Sequence, residues 1–74
     1  MSLGHELYRA AVAMHQEGVT PHEVAVRLVE RAREHGVVVC IVHRDSPPKL
    51  EMVLDGAEHV LQFDGARWRY DAPA

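Results

Sequence analysis

Apolar residues recur at helical spacing in the first half of the chain and at every second position toward its end. Leu7, Ala10, Ala11 and Met14, flanked by Val12, lie three and four apart and predict a helix over residues 4–17 with one apolar face. Gly18 suits the end of that helix. A second helix is predicted over 21–35, with Val24, Ala25, Leu28, Val29 and Ala32 inward and Glu23, Arg27, Glu30, Arg31 and Glu34 outward. Thr20 marks its start as the residue whose hydroxyl accepts the Glu23 amide, while the Glu23 carboxylate reaches back to the Thr20 amide. Pro21 takes the first helical position, where a missing N–H is harmless. Met1-Ser2-Leu3 has the look of vector-derived residues, so Leu3 is given little weight.

Past Gly36 the pattern changes to strands. Val37-Val38-Val39-Cys40-Ile41-Val42 is a β-branched run, and residues 50–54, 57–63 and 66–70 alternate. Asp55-Gly56 and Asp64-Gly65 separate the last three runs, and Asp-Gly between alternating segments signals a two-residue hairpin turn. Such turns fix register. Leu54 is expected opposite Ala57, Met52 opposite His59 and Leu50 opposite Leu61; then Phe63 opposite Ala66, Leu61 opposite Trp68 and His59 opposite Tyr70. One face then carries Leu50, Leu61, Trp68, Met52, His59, Tyr70, Leu54 and Phe63; the other carries the rows Glu51–Val60–Arg69, Val53–Glu58 and Gln62–Arg67. The fold class is α+β in ααββββ order, a single domain with a two-helix layer packed on one face of a four-stranded, mainly antiparallel sheet.

Strand 37–43 conflicts with that simple picture. Whichever face Val37, Val39 and Ile41 take, Val38, Cys40 and Val42 take the other, and two helices cover only one face. In a plain meander the strand is also an apolar edge with unpaired backbone. Three resolutions exist: a central position in a different strand order, pairing of its edge with another subunit, or a partner on its outer face. Two of these involve a second molecule.

Size and composition narrow the class. A chain of 74 residues buries only about 60% of its unfolded surface, yet 47% apolar content is too high for a disordered segment. A net charge of −3 offers no general attraction to nucleic acid or anionic membrane. The longest apolar run is far short of the roughly 20 residues that span a bilayer, and no signal peptide is visible. One cysteine makes no internal disulfide, which fits a reducing cytoplasm.

Six histidines invite a metal site, but their spacing argues for solvated or singly hydrogen-bonded rings. Cys40 and His43 fall on opposite faces of a strand, and His15 and His22 are at most a pair across the interhelical turn. His59 is expected on the core face, hydrogen-bonded to Tyr70 or to backbone rather than acting as a general base. Cys40 among valines reads as a small hydrophobe. Gly18 to Ala25 resembles the opening of a helix-turn-helix, but residues 29–34 continue the helix where that motif needs a second turn. Arg67-Trp68-Arg69-Tyr70 interleaves basic and aromatic residues, yet alternation parts them onto opposite faces. No catalytic residue, metal or cofactor is therefore assigned. The expectation is a small interaction or regulatory module, without catalysis, that forms a homodimer or binds a larger protein through Val38, Cys40, Val42, Glu51, Val53, Val60, Arg67 and Arg69. The alternative is a nucleic-acid-binding regulator using Arg44, Lys49, Arg67 and Arg69.

Overall fold

The computed structural model describes residues 2–43 and 47–73, with the backbone path at 40–43. Two helices come first, α1 (Leu3–Gln16) and α2 (Pro21–Glu34), then strands β1 (Val39–His43), β2 (Lys49–Leu54), β3 (Ala57–Phe63) and β4 (Trp68–Asp71). The chain is α+β. Among the described residues no helix is long and apolar enough to cross a membrane.

α1 starts at Leu3 and ends at Gln16, one residue earlier at each end than the apolar stripe suggests. The Ser2 hydroxyl accepts the His5 amide at 3.3 Å, and Leu3 packs against the core, so Ser2 and Leu3 are structural. Gly4, Leu7, Ala11 and Met14 form its buried line, while Ala10 and Val12 stay partly exposed. At α2 the Thr20 hydroxyl accepts the Glu23 amide at 3.3 Å as expected. The Glu23 carboxylate does not return to Thr20; it accepts from Arg27 Nε at 3.2 Å, one turn forward. Val24, Ala25, Leu28 and Ala32 are buried, with Val29 packed at the margin of the core.

Gly36 closes α2 at φ +74°, a conformation that costs a residue without a Cβ nothing. The Val37 amide then donates to the Ala32 carbonyl at 2.9 Å. That amide is used up in ending the helix, which is why the strand expected from residue 37 begins at Val39.

The strands run antiparallel in the order β1-β2-β3-β4, so β1 lies at an edge and the central-strand resolution falls away. Its register shifts between Ile41 and His43, an irregularity that twists an edge and disrupts its ladder. The first hairpin follows its turn: Asp55 and Gly56 both have positive φ, at 52° and 78°, and Leu54 pairs Ala57, Met52 pairs His59 and Leu50 pairs Leu61.

The second hairpin does not. Asp64 Oδ1 accepts the amides of Ala66 and Arg67, both at 2.9 Å, and the Asp64 amide donates to the Arg67 carbonyl at 3.0 Å. The connection thus occupies 64–67, and Phe63 pairs Trp68, Leu61 pairs Tyr70, Gln62 pairs Arg69 and Val60 pairs Asp71. The expected pairs Phe63–Ala66, Leu61–Trp68 and His59–Tyr70 are each displaced by two residues. A displacement of two keeps every residue on its face. Leu50, Met52, Leu61 and Trp68 accordingly share one buried face and join Leu7, Val24 and Leu28 in a single core.

Candidate interaction surface

Opposite that core, alternation puts Lys49, Glu51 and Val53 of β2, Glu58, Val60 and Gln62 of β3, and Arg69 and Asp71 of β4 on one face. Val53 is 63% exposed and Val38, just ahead of β1, is 80% exposed. Val38, Glu51, Val53 and Glu58 line a shallow hollow, and Val60 lies half-buried alongside. Of the residues expected on this surface, Val38, Glu51, Val53, Val60 and Arg69 are on it. Cys40 pairs with Glu51 through its backbone, and Val42 falls within the register shift, but the side chains of both lie outside the described residues.

The corrected register changes the company each residue keeps. Arg69 does not flank Val60; it pairs Gln62, in the row of Lys49. Asp71 takes its place beside Val60, a carboxylate that the two-residue turn assumption had hidden. Arg67 leaves the sheet face for the loop, where its amide is held by Asp64. The backbone donors that fix Asp64 hold its carboxyl below the usual carboxylate range, with Arg69 and Arg67 adding to the effect. Lys49 Nζ lies 3.9 Å from Glu51 Oε2, and Arg69 Nη1 lies 3.9 Å from Asp64 Oδ2. Arg44 lies outside the described residues.

A second cluster sits on the buried face where α1 meets β4. His59 Nδ1 and the Tyr70 hydroxyl share a hydrogen bond of 2.7 Å, the partnership expected of His59, now made on a diagonal because Tyr70 stands opposite Leu61. The His5 ring meets Tyr70 edge-on at 5.2 Å, and the rings of Tyr8 and His59 stack on it at 5.9 Å. Gly4 is where the helix touches this cluster: a Cβ there would lie 2.9 Å from Tyr70 Cζ, closer still to its hydroxyl, and 3.2 Å from His59 Nδ1. Sequence periodicity shows the Leu7 stripe but not the need for a residue without a side chain at position 4. Nearby, buried Trp68 keeps its Nε1 without an acceptor among the described residues. Its ring faces the core and packs on Phe63, whereas Arg69 is exposed. Among the described residues no three His, Cys, Asp or Glu side chains gather as a metal site.

Comparison with protein-family models, curated proteins and solved structures finds no match to this chain.

Proposed function

We propose that this protein is a small interaction or regulatory module, without catalysis of its own, that works in the cytoplasm by binding another polypeptide through the exposed sheet face. In this reading a two-helix layer covers one side of a four-stranded sheet and leaves the other as the binding surface. The observation that carries it is the exposure of Val38 and Val53 side by side, next to Val60. Apolar side chains grouped on a regular face of a small domain mark a contact site more often than isolated ones do. The face is favoured over the β1 edge because the register shift between Ile41 and His43 disrupts that edge as a template for strand addition. Phosphate binding is disfavoured, since Lys49 and Arg69 each have a carboxylate within 3.9 Å.

The double variant Val53→Glu/Val60→Glu tests the surface, with circular dichroism as the check on folding. Sedimentation equilibrium should show a complex, of the chain with itself or with a protein from its cell, that the variant loses. A monomer at millimolar concentration, together with no partner whose binding the variant abolishes, refutes the reading. A steep salt dependence of binding to oligonucleotides would favour the nucleic-acid alternative instead.

A further inference from the structure

We infer that the partner of this face is a cationic amphipathic segment of another polypeptide. Such a segment sets an apolar side chain against Val38 and Val53 and carries lysine or arginine beside it. The inference rests on the reading above and adds the chemistry of the partner. Its basis is the unequal spread of charge along the strands, visible only in the observed register.

Val53 is the centre of the apolar part. Val38 stands one residue before the Val39–Met52 pair, so continuing that register sets it across from Val53 on one side. Glu58 pairs Val53 on the other side, and Glu51 is the nearest residue on the same face of β2. All four line the hollow, which thus has an apolar floor and carboxylates along two sides. Residues opposed on adjacent strands have Cβ atoms about 5 Å apart, and same-face neighbours along a strand lie about 7 Å apart. Both carboxylates therefore reach a cation carried next to an apolar group seated on Val53.

The cations of this face stand at its other end. Lys49, Gln62 and Arg69 form a row two steps along the strands from Val53, about 14 Å away. Exposed charges are largely screened beyond about 8 Å at physiological salt, so that row does little to neutralise the hollow. Lys49 offsets Glu51 in part, at 3.9 Å, and Arg69 lies 3.9 Å from Asp64. Glu58 has no ion-pair partner among the described residues. Exposed Asp55, in the turn just past Val53, and Asp71 beside Val60 add charge of the same sign. An apolar hollow rimmed by carboxylates repels anionic headgroups, phosphates and acidic segments, and attracts a segment that is both apolar and basic.

Two synthetic peptides test the chemistry, one alternating leucine with lysine and the other alternating leucine with glutamate. Binding is followed by the methyl resonances of Val38 and Val53. The leucine–lysine peptide should shift both and bind roughly tenfold or more tightly than its counterpart. Glu51→Lys/Glu58→Lys should reverse that preference. Glu30→Lys/Glu34→Lys makes the same change of net charge on the exposed side of α2 and should leave the preference in place. If the reversed variant fails to fold, Glu58→Gln should still weaken the leucine–lysine peptide. In the unmodified chain, raising salt from about 0.05 M to about 0.5 M should weaken it too. Equal binding of both peptides, an equal effect of the α2 variant, or methyls unmoved at millimolar peptide overturns the cationic partner while the surface reading stands. Those methyls responding instead to an oligonucleotide, or to self-association that Val53→Glu/Val60→Glu abolishes, overturn it as well. The surface reading itself falls only if nothing bound is lost with Val53→Glu/Val60→Glu.

Discussion

Met52 and Val53 are neighbours on β2, yet the first is 2% exposed and the second 63%. The same contrast runs across the whole sheet, between the face of Leu50, Leu61 and Trp68 and the face of Val53, Val60 and Glu51. The outer face is mostly charged and polar, but Val53 and Val60 on it are as suited to burial as Met52, so chemistry does not separate these residues. What separates them is the presence of other side chains to pack against. Burial on one face supplies folding free energy, and the apolar area on the other face supplies none within one chain.

Substitutions on the two faces should therefore differ most in size. Trp68→Ala removes a fully buried ring and should cost about 3–5 kcal/mol, close to the whole stability of so small a domain. Urea unfolding measures it. Trp68→Phe should cost distinctly less, because it keeps an aromatic ring and also removes the buried Nε1 that has no acceptor among the described residues. Equal losses for the two would mean that the ring is not packed as described.

Gly4→Ala comes next. The new methyl would displace the Tyr70 hydroxyl from His59, an overpacking cost of about 1–3 kcal/mol, offset by at most about 1 kcal/mol of helix propensity. Net destabilisation is expected, and adding Tyr70→Phe should recover part of it by removing the clashing oxygen. A stabilised Gly4→Ala would show that α1 and β4 are not in this contact.

Asp64 should contribute at neutral pH and cease to contribute in acid. Folding lowers its pKa, so its contribution is complete above the unfolded carboxyl's pKa and is lost as pH falls through the lower folded value. In Asp64→Asn the dependence of stability on pH below about pH 4 should be reduced, as measured by thermal unfolding across that range. The smallest effect belongs to the exposed face: Val53→Thr should stay within about 0.5 kcal/mol for the monomer. A large loss there would collapse the contrast between the faces.

The two Asp-Gly pairs show where a local signal is enough and where it is not. At Asp55-Gly56 the backbone itself adopts the tight turn, and residues counted outward from it pair as the alternation implies. At Asp64-Gly65 the carboxylate competes for backbone amides two and three residues on, and that competition lengthens the loop. Face assignments survived because the displacement is even; row assignments did not, and with them went the true neighbours of Arg69 and Asp71. The helices were legible because caps and stripes are properties of neighbouring residues. Gly4 against Tyr70 was not, since it joins segments far apart in sequence. The exposed valines were legible through alternation alone, whereas the charge rows required the register.

The contact between Gly4 and Tyr70 also has a kinetic meaning. Each hairpin of this fold and the α1–α2 pair join segments that follow one another directly, so they close short loops at small entropic cost. The meeting of α1 with β4 closes nearly the whole chain. It should form last during folding, and the burial of Trp68 beside it should lag behind the appearance of helix and hairpin. Stopped-flow fluorescence would then report a slower rise than far-ultraviolet circular dichroism in the same refolding jump.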